Sequence, residues 1–145
     1  MKLVIQRVTE AEVRVDGESV GRIGPGLLVL VGAEKGDDDA AAAEAARKVA
    51  GLRVFNDENG KMNLDLAAVK GSVLVVSQFT LGADLSRGRR PAFDRALAGE
   101  EARPLYETFV RALADRGVPV ETGRFGAMMQ VSLVNDGPAT FILEV

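Results

Sequence analysis

Cysteine and histidine are both absent from this 145-residue sequence. Without cysteine there are no disulfides, no thiolate metal sites and no thiol nucleophile. Without histidine the usual general base, the usual partner of a serine or threonine nucleophile and the commonest transition-metal ligand are missing. Any chemistry therefore rests on carboxylates, lysine, backbone dipoles or groups that a substrate brings with it, and no metal site or cofactor is expected. Long apolar runs are absent as well, none approaching the ~20 residues that span a bilayer. The run from Met1 to Arg7 is interrupted by Lys2 and has no small-residue cleavage site, so it does not read as a signal peptide. A cytoplasmic location without a membrane partner is the expectation.

What is present is ordinary in bulk: 47% hydrophobic and 27% charged residues, with a net charge of −3, describe a soluble globular chain. Its length fits one domain over residues 1–145. The stretch that organises it is Gly71 to Leu81. Val73 to Ser77 are apolar or small and mostly β-branched, the pattern of a fully buried central strand. Ser77, Gln78 and Thr80 then put two hydroxyls and an amide where that strand leaves the core. Polar groups there either cap the strand or form a site.

Ahead of it, Lys2 to Val8, Glu12 to Val15 and Ser19 to Ile23 read as short antiparallel strands, with Asp16-Gly17 as a hairpin turn. If Leu3 and Ile5 face inward, so does Arg7, and a buried arginine needs partners. A register shift or a rim position is the other reading. Gly24-Pro25-Gly26 is a turn into the strand Leu27 to Val31 and fits no phosphate-loop pattern. The helix from Asp37 to Ala50 opens with three aspartates, which suit its positive end better than a metal. Leu52 to Phe55 reads as a strand, and Asn56 to Gly60 as a turn that fails the calcium-loop pattern because Phe55 stands where a carboxylate is required.

Beyond the organising strand, Arg87, Arg89 and Arg90 form a basic cluster between Gly82 and Pro91. In an acidic chain this reads either as a solvated loop or as a grip on one phosphate-bearing partner. Pro91 to Gly117 is helical in pattern, with a short helix to about Ala98 and a longer one whose core stripe is Leu105, Phe109 and Leu113. Tyr106 reads as packing. After a strand from Val118 to Glu121, Phe125 lies between glycines, as a core residue or as a surface on which a base stacks. Strands Gln130 to Val134 and Ala139 to Val145 close the chain, joined by a turn at Asn135-Asp136-Gly137-Pro138.

Two of these segments, Ser77-Gln78-Phe79-Thr80-Leu81-Gly82-Ala83 and Asn135-Asp136-Gly137-Pro138-Ala139-Thr140, together resemble the paired signature motifs of the D-aminoacyl-tRNA deacylases. The likeness runs on through Ile5-Gln6-Arg7-Val8, Gly60-Lys61-Met62-Asn63-Leu64, Thr122-Gly123-Arg124-Phe125 and Met129-Gln130-Val131-Ser132-Leu133-Val134. It implies a compact α/β fold of antiparallel, β-barrel-like sheets with two or three flanking helices, assembled as a homodimer. The implied activity is hydrolysis of the ester joining a D-amino acid, or glycine mischarged on tRNA-Ala, to the terminal adenosine of tRNA. Ser77, Gln78, Phe79 and Thr80 would then flank the ester, and Gly137-Pro138 would form a cis motif that enters the partner subunit's pocket and excludes L side chains. Arg7 would brace that motif, Phe125 would stack near the adenine, and Arg87, Arg89 and Arg90 would meet the tRNA, with no DNA partner expected. A vicinal 2′-hydroxyl on the substrate would supply the assistance that a chain without histidine lacks. The alternatives are a non-catalytic module that binds the 3′ end of tRNA, and a small-molecule-binding barrel.

Overall fold

A computed structural model describes residues 1–145 and shows why Val73 to Val76 are apolar on both faces. Strand β6 (Ser72–Ser77) runs parallel to β3 (Gly26–Gly32) on one side and to β7 (Val120–Thr122) on the other. Val73 and Val75 pack towards the helices, in one cluster with Ile5, Val29, Ala45, Val49, Phe109 and Leu113. Leu74 and Val76 point the opposite way, into a smaller cluster with Val8, Val13, Ile23 and Leu28. Alternating side chains thus fill two cores from one strand.

The sheet follows the order β2-β1-β3-β6-β7, where β1 spans Lys2–Val15 and β2 Glu18–Ile23, and the last strand, β8 (Gln130–Glu144), pairs along β1. It curls until β2 nearly meets β7. At Gly21 an added Cβ would stand 2.4 Å from the Thr122 carbonyl oxygen, so the near-closure leaves no room for a side chain there. Outside this barrel-like sheet lie helices α1 (Asp39–Ala50), α2 (Leu66–Val69) and α3 (Gly99–Ala114), and a two-stranded sheet of β4 (Phe55–Asn56) and β5 (Met62–Leu64). The expected barrel-like α/β class holds. Its sheet is mixed, because the crossovers through the helices bring β6 and β7 in parallel to their neighbours.

The three opening aspartates do not converge. Asp38 caps α1 by accepting from Ala41 N at 2.9 Å, Asp39 accepts the Thr108 hydroxyl at 2.9 Å, and Asp37 accepts from Glu34 N at 2.7 Å. No cluster of carboxylates able to hold a metal exists, and no helix is long and apolar enough to cross a membrane.

Three local expectations are corrected. Lys2 to Val8 and Glu12 to Val15 are one continuous strand, with β2 and β3 sharing the same edge of β1 in succession. The short helix after Pro91 does not form, because its backbone groups bond elsewhere: Ala92 exchanges two bonds with Asp84, Arg95 accepts from Lys35 N, and Leu97 donates to Ala33 O. The turn at Asn135 to Pro138 is a bulge inside the single strand β8. Both of its flanks pair with β1, Thr140 opposite Gln6 and Asn135 opposite Val8.

Candidate active site

Strand β6 ends at the mouth of a cavity. Gln78 N donates to Val31 O at 2.8 Å, so the chain stays registered on β3 for one residue beyond the strand. It then tightens into a 3-10 turn over Phe79–Gly82, where Leu81 N donates to Gln78 O at 3.2 Å. The amides of Phe79 and Thr80 precede the first bond of that turn and have no partner within it. The close seat of the turn on β3 needs Gly32. A Cβ there would stand 2.9 Å from Gln78 O and 3.0 Å from the Leu81 Cβ.

The cavity has a volume of about 830 Å³, in the range of small-molecule sites. Ser77, Gln78, Phe79 and Thr80 line one part of it, and Tyr106, Phe125 and Met129 another. Thr80 is exposed, and the Gln78 side-chain amide donates to its hydroxyl. No aspartate, glutamate, lysine or arginine lines the cavity, Tyr106 is the only ionisable side chain that does, and the α-ammonium of Met1, also a lining residue, is tied to Asp37 Oδ1 at 2.6 Å and Val145 O at 2.7 Å. Burial pushes the Tyr106 phenol up to about 12, out of reach of base catalysis near neutrality. The wall offers hydroxyls, an amide, backbone N–H groups and apolar surface, which position and polarise a substrate but do not deprotonate one.

Tyr106 packs in the core, as expected, while one side of it lines the cavity. Its hydroxyl donates to Val75 O at 3.0 Å, and Gly123 N donates to the same oxygen at 2.9 Å. Tyr106→Phe should therefore cost about 1 kcal/mol in urea unfolding, since Val75 O keeps its second donor; a loss several times larger would give the hydroxyl a wider role. Phe125 is half-buried against Tyr106, centroids 5.5 Å apart, and it lines the cavity. The Arg103 guanidinium lies 4.7 Å from its ring centroid.

Arg7 does face inward and is buried. Its Nη1 donates to Val54 O at 2.7 Å and to Asn56 Oδ1 at 3.3 Å, and its Nε donates to Asp136 O at 2.9 Å with the Asp136 carboxylate at 3.2 Å. Asn135 Nδ2 returns a bond to Arg7 O at 2.9 Å. Arg7 and Asn135 so clamp the start of the bulge that carries the cis Gly137-Pro138 peptide. Gly137 and Pro138 are exposed and do not line the cavity. Arg87, Arg89 and Arg90 are also exposed and outside the lining, on a loop closed by the paired bonds of Asp84 and Ala92 at 2.7 and 3.0 Å. Hydrogen bonds from Ser86 hold the Asp84 carboxyl below the usual range.

The structure thus brings Ser77, Gln78, Phe79, Thr80 and Phe125 together, and keeps Arg7 with Gly137-Pro138 apart from them. Three contributors escaped the sequence reading: Gly32, Arg103 and Phe93. Only an aromatic placed close after a run of arginines could have signalled Phe93.

Residues 4–144 match the family model described as D-Tyr-tRNA(Tyr) deacylase. A D-aminoacyl-tRNA deacylase of Pelobacter propionicus is 58% identical over 144 residues, covering 99% of both chains. The chain belongs to the D-Tyr-tRNA(Tyr) deacylase family. Another D-aminoacyl-tRNA deacylase, from Shewanella loihica, is 57% identical with 100% of each chain covered. Among solved structures, one described as a c-Myc DNA unwinding element binding protein superposes with a TM-score of 0.94 at 40% identity, covering 100% of this chain and 99% of the other. A probable eukaryotic D-amino acid tRNA deacylase shares the deacylase fold at a TM-score of 0.87 and 18% identity, over 99% of this chain and 98% of its own.

Proposed function

We propose that this chain is a D-aminoacyl-tRNA deacylase, hydrolysing the ester of D-aminoacyl-tRNA, and of glycyl-tRNA mischarged on tRNA-Ala, to free amino acid and tRNA. The observation that carries the reading is the set Ser77, Gln78, Phe79, Thr80 and Phe125, gathered around one cavity without a basic or acidic side chain in a chain of this family. Such a wall suits a substrate that brings its own assistance. An aminoacyl ester carries a vicinal 2′-hydroxyl. Water adds to the ester carbonyl, the 3′-oxygen of adenosine leaves and is protonated, and the 2′-hydroxyl helps relay the proton. The free amides of Phe79 and Thr80 stabilise the oxyanion, while Thr80 and Gln78 orient the ester. Phe125 stacks near the adenine, and Arg87, Arg89 and Arg90 meet tRNA phosphates.

The separation of the two motifs supports a homodimer. Gly137 and Pro138 are exposed on the bulge and reach no part of their own chain's cavity. A second copy inserting that bulge completes the site, its carbonyls holding the substrate's amino group and its bulk excluding an L side chain. Selection by exclusion ignores the nature of a D side chain and lets glycine through. The work of such an enzyme on tRNA places it in the cytoplasm.

The test is hydrolysis of matched D-tyrosyl-tRNA and L-tyrosyl-tRNA without added metal. Rapid loss of the D-ester alone is expected. Survival of both esters, with tRNA retained in gel shifts, would leave a non-catalytic module for the 3′ end of tRNA. A second expectation concerns the seat of the catalytic turn. Gly32→Ala must push Gln78 and Leu81 away from β3, and a misplacement approaching 1 Å lowers kcat by up to ~10²-fold. Unchanged kcat in that variant would mean that the turn tolerates displacement and does not set the ester's geometry.

A further inference from the structure

Two large aromatic rings stand in the open at the mouth of the cavity. Phe79 is 58% exposed and Phe93 39% exposed, and their centroids lie 5.2 Å apart with the planes tilted by 57°. Both rings line the cavity, yet neither belongs to the three buried clusters. Exposed aromatic pairs are costly to leave in water and mark surfaces that something covers. The backbone fixes this pair from both sides. Phe79 opens the turn that continues into Thr80. Phe93 sits one residue beyond Ala92, whose paired bonds with Asp84 close the arginine loop, and its own carbonyl accepts from Ala96 N at 3.0 Å. The segment is then pinned to the end of β3 by Leu97 N to Ala33 O at 3.1 Å and Lys35 N to Arg95 O at 2.9 Å. Along the chain, Phe93 thus follows the loop of exposed arginines at 87, 89 and 90, and Phe79 leads into Thr80.

Resting on the deacylase reading, we infer that Phe79 and Phe93 form a stacking ledge for the unpaired nucleotide that precedes the terminal adenosine, with its phosphate met by the Arg87 to Arg90 loop. Single-stranded nucleic acid is held by this combination of parts, aromatic faces for bases beside a cationic track for phosphates. The charge argues for that occupant. The chain is acidic overall, so three exposed arginines on the loop that leads into Phe93 suit an anionic partner and disfavour docking of an apolar peptide. The terminal adenosine has Phe125 within the cavity, which leaves the ledge at its mouth to the next base out.

A short RNA ending in C-C-A, with 2-aminopurine in place of the penultimate base, reads the ledge without any chemistry. Stacking quenches its fluorescence. Wild-type protein should quench it; Phe93→Leu, which keeps apolar bulk against Phe79 but offers no aromatic face, should bind it roughly 5- to 100-fold more weakly and leave it bright. Phe93→Tyr should restore quenching. In turnover, Phe93→Leu should shrink by the same factor the preference in kcat/KM for D-tyrosyl-tRNA over D-tyrosyl-adenosine. Full quenching by Phe93→Leu overturns the inference, as does an equal loss on both substrates, which would make Phe93 part of the ester pocket. A loss that varies with the D-amino acid attached would assign the ring to the side chain and overturn it too. If no ester is cleaved yet quenching depends on Phe93, the deacylase reading falls and the ledge stands.

Discussion

D-tyrosyl-tRNA ending in 2′-deoxyadenosine should resist the wild-type protein almost completely, while Thr80→Ala keeps turning over the ordinary substrate. The two outcomes follow from the same inventory. Thr80 is the best-placed hydroxyl, exposed beside the cavity and fixed by the Gln78 amide. A threonine hydroxyl is a weak nucleophile until a base takes its proton. The sequence has no histidine, and the cavity's one ionisable side chain, Tyr106, has its phenol pushed up to about 12. In the proposed mechanism Thr80 orients the ester, and its loss should lower kcat by about 10- to 100-fold. In the same mechanism, removing the 2′-hydroxyl removes the substrate's own proton relay, a contribution of about 10² to 10⁴. Single-turnover hydrolysis of the two substrates by the two proteins gives all four rates. A Thr80→Ala protein that is folded and inert, with the deoxy substrate still cleaved, would establish a covalent threonine mechanism instead.

The parts of this site that could be read beforehand are those where one residue type answers to one physical demand. Val73 to Val76 had to be buried on both faces, since β-branched residues without alternation fit no half-exposed strand, and the polar end after them had either to cap the strand or to form a site. An inward Arg7 was one of the two readings that the alternation of Leu3 and Ile5 allowed, and its partners were not legible at all: Val54 and Asp136 come from distant segments. Local signals failed where tertiary pairing competed with them. Asn135 to Pro138 carry every mark of a hairpin turn, but both flanks find more partners along β1 than they would along each other. The helical pattern after Pro91 yielded to bonds with Ala33, Lys35 and Asp84, none of which its own sequence announces. Phe93 was hidden for a different reason. An apolar side chain reads as core by default, and only the folded chain places its ring in the open beside Phe79.

Arg7→Ala should do more damage than any surface substitution, and in two separable ways. The side chain satisfies the buried Val54 carbonyl at 2.7 Å and reaches across to the Asp136 carbonyl at 2.9 Å, so its removal strands the first and frees the second. The Asp136 carboxylate is half exposed, with 53% of its side chain accessible, so the ion pair itself is screened and adds little. The lost hydrogen bonds from a charged donor dominate, at about 3 kcal/mol, which lowers Tm by roughly 10 °C. The second effect is on selection. Asn135 remains bonded to the Arg7 backbone oxygen in the variant, but Asp136 loses its hold on the guanidinium, and the Gly137-Pro138 bulge loses the contact that fixes its height above β1. Arg7→Lys separates the two. Lysine keeps the charge and can satisfy Val54, but a single ammonium cannot fork to both sides as the guanidinium does. Its melting temperature should recover most of the loss, while hydrolysis of D-tyrosyl-tRNA stays ~10²-fold down, the size expected when a group holding the substrate is displaced. Wild-type D-ester turnover and D-over-L preference in Arg7→Lys would show that the bulge is held by its own backbone, and that Arg7 serves only to fill and satisfy the core.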